Sequence, residues 1–187
     1  MLNARHFRVN DQLKGVDMAD QHLASEKPEF EKAIRHREVP FALPDATTPD
    51  GQRILKRLRD EQTIWFTTVD EEGSPHALPV AFVWDEARGT LLTYSAPQGE
   101  RDRLEHIARN PHVGLHFEMG HDADLLVMTG EASVSRDDPP SNECPAWVEK
   151  YRDYFARLGM SLARAAEAAP VSLRIRPQTL RYMRSPF

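Results

Sequence analysis

Cysteine is nearly missing from this chain: Cys144 is the only one among 187 residues. An intrachain disulfide is therefore excluded, and a lone thiol cannot build a thiolate zinc cage. Nothing favours an oxidising compartment. Long apolar runs are missing too, since no window approaches the roughly 18 residues of a membrane span. Between Met1 and Asp20 no apolar stretch could serve as the core of a signal peptide, so the cytoplasm is the expected location. There is no basic excess: 24 Lys and Arg stand against 29 Asp and Glu. A chain so balanced does not grip nucleic acid through its phosphates, and no nucleic-acid or membrane partner is expected. Also absent is any Ser-His-Asp, Cys-His or paired-carboxylate arrangement of the kind that catalyses on its own.

What is there begins with enough apolar residues, 40% of the chain, to build a core. Residues 1–45 stand apart. They are polar, poor in β-branched residues and end in Pro40 and Pro44, with one short helix expected from Pro28 to Arg37. They read as a loosely packed N-terminal extension to an ordered domain over residues 46–187. That domain opens at Thr48-Pro49-Asp50-Gly51, a hydroxyl N-cap followed by proline at the first helical position. Ile54, Leu55 and Leu58 then form a narrow apolar stripe.

Strands are predicted at Thr63–Val69, Pro75–Trp84 and Thr90–Ser95, joined by tight turns into an antiparallel meander. A helix over Gly99–Arg109, with Leu104, Ile107 and Ala108 facing the core, ends at Asn110-Pro111. Strands follow at His112–Phe117 and Leu125–Ser135, the second with Gly130 in its middle, a position that often marks a bulge or barrel corner. Pro145–Leu158 is an amphipathic helix capped by Gly159, with Trp147, Tyr151, Tyr154 and Phe155 spaced for one face. A short helix over Leu162–Ala168 precedes the closing strand Val171–Arg176. The fold class is mainly β with α: a six-stranded antiparallel split β-barrel with flanking helices.

The stretch most able to carry chemistry is Tyr94-Ser95-Ala96-Pro97-Gln98-Gly99-Glu100-Arg101-Asp102-Arg103. A strand runs out, a loop offers hydroxyl and amide groups, and a helix begins with two arginines. Helix N-termini suit phosphates, and guanidinium adds forked charged donors. The alternative is that Arg101 and Arg103 are exposed partners of Glu100, Asp102 and Glu105. Pro79 cannot complete a ladder, so the second strand has a locally open edge or is simply a bent edge strand. His112, His116, His121, Asp122 and Asp124 match no metal-binding pattern, and no metal is expected.

The ordered combination of TPDGQRILKRLRDEQTIWFTTVDEEGSPHALPVAFVWD, LLTYSAP, HIARNPHVGLHF, GEASVSRDDPP and PAWVEKYRDYFARLGMS resembles the pyridoxamine 5'-phosphate oxidase-like split-barrel superfamily. More narrowly it is similar to that superfamily's actinobacterial branch of coenzyme F-420 (deazaflavin) dependent enzymes. The resemblance runs from Thr48 to Met183. It departs from the pattern in a longer loop after Tyr94 and in a turn at Glu118–Asp124 without the glycine-rich acidic run. It implies a homodimer with a coenzyme site at each side of its interface. The phosphate is then held by Tyr94, Ser95, Gln98, Arg101 and Arg103, and the ring lies along the strand-two backbone at Leu78, Pro79, Val80 and Ala81. The implied activity is a reductase passing hydride from the deazaflavin to a small conjugated substrate. FMN in the same fold, as reductase or oxidase, is the alternative, and a non-catalytic flavin or haem carrier the third. No proton donor is singled out.

Overall fold

The computed structural model describes residues 41–97, 99, 102–119 and 124–184. The helix predicted at Pro28–Arg37 lies outside them. The first described helix, α1 (Pro49–Asp60), starts as its sequence dictates: the Thr48 side chain accepts a hydrogen bond from the Gly51 N–H at 3.0 Å, and Pro49 takes the first turn. Gly51 is required by crowding, because a Cβ there would sit 1.9 Å from the Asp45 carbonyl oxygen. Ile54, Leu55 and Leu58 are buried, as their spacing predicts.

Seven strands follow rather than six: β1 (Thr63–Val69), β2 (Pro75–Ala81), β3 (Val83–Asp85), β4 (Thr90–Ser95), β5 (His112–His116), β6 (Leu125–Val134) and β7 (Val171–Met183). Helix α2 (Arg103–Arg109) lies between β4 and β5, and α3 (Pro145–Arg157) and α4 (Leu162–Ala168) between β6 and β7. The extra strand arises because the predicted Pro75–Trp84 strand breaks at Phe82. In the sheet order β2-β1-β5-β6-β7-β4-β3, the halves of that run occupy opposite edges. One residue therefore carries the chain from one edge of the sheet to the other, and this curls the sheet into a split barrel.

The break exposes backbone groups that the ladder no longer pairs, and Tyr151 on α3 satisfies them. Its hydroxyl accepts the Phe82 N–H at 2.7 Å, with the carbonyls of Phe82 and Gln62 at 2.6 and 2.8 Å as acceptors for its own proton. Thr93 Oγ1 donates to the Ala81 carbonyl at 2.7 Å, closing the end of β2.

Gly130 does mark an irregularity. Thr129 faces Thr179 but Gly130 faces Pro177, so Gln178 is the extra residue of a bulge in β7. A Cβ on Gly130 would come within 2.6 Å of the Arg176 carbonyl oxygen. The bulge frees the Gln178 carbonyl, which accepts the Phe41 N–H at 2.5 Å. The Phe41 ring packs edge-on against Trp84 at 6.2 Å, so the end of the segment expected to be loose is docked on the barrel.

The barrel interior holds Phe66, Phe82, Leu115, Leu126, Met128, Leu173 and Ile175, all fully buried. Outside β3 and β4, under α3, a second cluster gathers Val83, Leu92, Tyr94, Cys144, Trp147 and Tyr151. The aromatic face predicted for α3 is thus the face that packs. Arg174 ties the neighbouring strands, bonding Asp138, Asp85 and Thr90, and this pairing holds the Asp138 carboxyl below the usual carboxylate range.

Candidate functional site

Strand β2 is an edge strand whose ladder pairs with β1 alone among the described residues, and Pro79 lies within it. Its register separates the four ring-binding candidates. Leu78 and Val80 stand opposite Phe66 and Ile64 and so face the barrel interior; Pro79 and Ala81 stand opposite Trp65 and Thr63 and face outward. Val80 is buried, yet Leu78 is 47% exposed although it shares the face of fully buried Phe66. The split in the barrel opens there.

Helix α2 packs beside that opening, against β1 and β6, and its inward face differs from the expected one. Arg103, His106 and Ile107 are buried, whereas Ala108 is exposed. The helix is also shorter than predicted, starting at Arg103 with Asp102 as its N-cap, the carboxylate accepting the Leu104 N–H at 2.8 Å.

Arg103 is 6% exposed. Its guanidinium lies 5.2 Å from the centre of the Phe66 ring, and NH1 is 3.4 Å from Ser95 Oγ. Among the described residues no carboxylate bridges it, and burial pulls its pKa down, with nearby Asp102 opposing. Arg103 is therefore not the exposed partner of Glu105, which pairs with Arg109 at 3.5 Å. A buried guanidinium with five donors and, among the described residues, one long hydrogen bond retains capacity for an anion.

Of the other phosphate candidates, Ser95 stands beside Arg103, but Tyr94 does not. Strand alternation sends Tyr94 to the opposite face, into the cluster under α3, where its hydroxyl donates to the Pro139 carbonyl at 2.8 Å. Burial raises its pKa there. Gln98 and Arg101 lie outside the described residues.

A polar group that the sequence reading passed over adjoins Arg103. His106 Nδ1 is 3.0 Å from Thr68 Oγ1, and its ring centre is 4.9 Å from that of His76. His76 Nε2 lies 2.7 Å from Asp70 Oδ2. Bonds from His76 and the Ser74 N–H hold the Asp70 carboxyl below its ordinary range. The available signals were the three-residue spacing of Arg103 and His106 and the two-residue spacing of His76 and Leu78. Among the described residues no three His, Cys, Asp or Glu side chains gather as a metal cluster.

A seven-stranded antiparallel sheet curled into a split barrel is the architecture of the half-barrels related to pyridoxamine 5'-phosphate oxidase. Residues 51–184 match the family model for pyridoxamine 5'-phosphate oxidase, and the chain belongs to that family. No curated protein matches it. Among solved structures, a candidate pyridoxamine 5'-phosphate oxidase from Listeria innocua is similar at 27% identity and a TM-score of 0.52, over 72% of this chain and 98% of that one. The General Stress Protein 26 of Bacillus anthracis is similar at 21% identity and a TM-score of 0.51, over 72% and 97%. A candidate 5-nitroimidazole antibiotic resistance protein from Bacteroides thetaiotaomicron is similar at 18% identity and a TM-score of 0.52, over 72% and 84%. The last two show the shared fold.

Proposed function

We propose that this protein is an oxidoreductase that binds a flavin-type coenzyme at the opening between β2 and α2 and transfers hydride to a small conjugated substrate. The observation that carries the reading is Arg103: a buried cation beside Ser95, with donors to spare, in a family that takes its name from a phosphate-bearing substrate. Arg103 and Ser95 hold the coenzyme phosphate. The free edge of β2 from Leu78 to Ala81 orients the ring, and Leu78 and Val80 give it an apolar floor that excludes water. When bound, the coenzyme supplies the hydride chemistry, which no side chain here could supply. His76, two residues from Leu78 on the same strand face, holds its proton on Nε2 against Asp70.

Coenzyme F-420 is the coenzyme that the sequence resemblance favours; membership of the pyridoxamine 5'-phosphate oxidase family speaks for FMN. Both carry a phosphate on a flexible chain and a flat three-ring system, which are the features this site addresses. A second copy of the chain completes the site. The outer sheet face supports that pairing: one row across β2, β1, β5 and β6 runs Ala77, Thr67, Gly114, Thr129, all small. Flat faces of this kind suit sheet-on-sheet packing.

Titration of the purified chain with FMN and with coenzyme F-420, followed by absorbance, tests the reading. Saturable micromolar binding of one of them is expected. If neither binds while haem produces a Soret band, the chain is a carrier and not this enzyme.

A further inference from the structure

The turn between β1 and β2 builds a fixed imidazole beside the barrel opening. Gly73 takes a left-handed φ of 85° there, and its N–H returns to the Asp70 carbonyl at 3.2 Å. The Asp70 carboxylate then has a partner on each oxygen: Oδ1 accepts the Ser74 N–H and Oδ2 meets His76 Nε2, each at 2.7 Å. Asp70 and Ser74 close the turn by themselves, so the turn does not require the His76 bond. A carboxylate held below its ordinary range accepts and does not donate, so Nε2 carries the proton of that bond and Nδ1 is the other, free nitrogen.

Strand parity sets where His76 stands. It faces Thr68 in the β1–β2 ladder, two residues before Leu78, on the strand face that Leu78 and Val80 share. Two strand residues span roughly 7 Å, so His76 adjoins the exposed Leu78 at the split. Buried His106 of α2 packs against the His76 ring at 4.9 Å and is itself 3.0 Å from Thr68 Oγ1. The imidazole is thus held at one nitrogen by a carboxylate and on its side by a second ring. Its side chain is 30% exposed, and Nδ1 has no partner among the described residues and is not sealed from solvent. Of the other charged groups on these elements, Glu71 lies 3.9 Å from Arg109, and Arg103 is one turn along α2 from His106.

Hydride addition to a conjugated system needs a proton as well, and a positioned imidazole is the commonest source. We infer that His76 is the catalytic proton donor at this opening, with Asp70 orienting its ring and Nδ1 turned to the substrate. This rests on the coenzyme reading of the same opening. The substrate takes hydride at one end of its conjugated system from the reduced flavin-type coenzyme, which is thereby oxidised, and an electron pair is left at the other end. The Nδ1–H bond of the charged ring breaks, and its proton joins that pair. His76 ends neutral, keeps the Nε2 proton against Asp70 and regains the other from solvent. The substrate class follows: enones and quinones, whose oxygen receives the charge.

The chain is first titrated with FMN and with coenzyme F-420; binding of neither overturns the coenzyme reading itself. The chain loaded with the coenzyme it binds is then reduced without oxygen and mixed with menadione or cyclohexenone in single turnovers, and at least one is reduced. The rate falls as rising pH removes the Nδ1 proton. His76→Gln binds the coenzyme like the parent, yet its reaction is about a hundredfold to ten-thousandfold slower and loses that pH dependence. Added imidazole restores rate to His76→Ala, which it would not do for a residue that only closes the turn. In the coenzyme-free chain, nitrogen NMR finds the neutral His76 ring protonated at Nε2. With coenzyme binding intact, the proposal is overturned if the parent reduces neither probe, if His76→Gln is as fast as the parent, if imidazole restores nothing, or if the neutral ring is protonated at Nδ1.

Discussion

Arg103, the proposed phosphate ligand, illustrates how a single side chain can weaken a fold. Burial works against its charge, and the Phe66 ring and a long bond to Ser95 offset this only in part. Charge-assisted bonds to phosphate contribute roughly 1.5–3 kcal/mol each. Arg103→Met should therefore weaken coenzyme affinity by about tenfold to a hundredfold, while the coenzyme-free protein melts at the same temperature or higher. Unchanged affinity would place the phosphate elsewhere. Lys150 makes the complementary case. Its Nζ is buried without a partner among the described residues, 3.9 Å from the Phe82 ring, and desolvation lowers its pKa from 10.5 to about 8, against the pull of Asp60 and Glu61. Below pH 8 both folded and unfolded chains carry the charge, and the full cost is present. Between about 8 and 10.5 the unfolded chain holds more protons, so stability rises with pH through that window. Buried Tyr94 and Tyr151, whose pKa values are raised from 10.0, reverse the trend above it. Thermal melts should gain about 1–2 kcal/mol, roughly 3–6 °C, between about pH 7 and about pH 9. Lys150→Met should melt higher at neutral pH and lose that slope; a slope that survives the substitution would assign it to another group.

At the scale of elements, periodicity carried the reading where one face is wet and the other dry. The α1 stripe, the α3 aromatic face and the β1 and β5 strands all follow their patterns. It failed where tertiary contacts decide. Nothing local marks Phe82 as a break, because the acceptor that permits it, Tyr151, lies 69 residues away. Residues 177–183 continue β7 beyond its predicted end because β6 is there to pair with them. The buried face of α2 was misread because Arg103 and His106 look like surface residues, and only the barrel opening below them makes them inward. Of the proposed phosphate residues, Ser95 and Arg103 meet, whereas strand alternation should already have set Tyr94 apart from Ser95. Gly130 was legible as an irregularity, and its environment gives a sharp test. The contacts a Cβ would meet are all backbone, so nothing flexible can give way. Gly130→Ala should cost about 2–3 kcal/mol, read as a lower urea midpoint at unchanged slope. A loss under about 0.5 kcal/mol would mean that the bulge can shift.

For the whole molecule, the outer sheet face is the feature that sequence composition hid. Row by row the register aligns Pro79, Trp65, His116 and Val127, beside the row of small residues. Trp65 stacks parallel to His116 at 5.8 Å, and Val127 is exposed. A dimer through this face should bury well over roughly 1,000 Å². Light scattering at micromolar concentration should give twice the chain mass. Gly114→Glu is suited to the test, because a Cβ there meets only Thr67, at an ordinary 3.6 Å. The variant should remain folded, scatter as a monomer and lose coenzyme affinity. A parent that scatters as a single chain would remove the second copy from the site. Among the described residues no helix is long and apolar enough to cross a membrane.

The single-residue joint at Phe82 has a kinetic consequence. Strands β1 and β2 form one hairpin and β3 and β4 another, both from neighbouring sequence, so each can assemble early. The Tyr151 hydroxyl clasps them only after the chain between has been placed, so its bonds belong to the late, downhill side of the folding barrier. Tyr151→Phe should then unfold about tenfold faster in stopped-flow experiments while refolding at nearly the parental rate. Refolding slowed by the same factor would mean that the clasp helps nucleate the barrel. On the first outcome one phenol oxygen lengthens the native lifetime of this barrel about tenfold, and an equilibrium measurement would register the lost stability without showing which rate carries it.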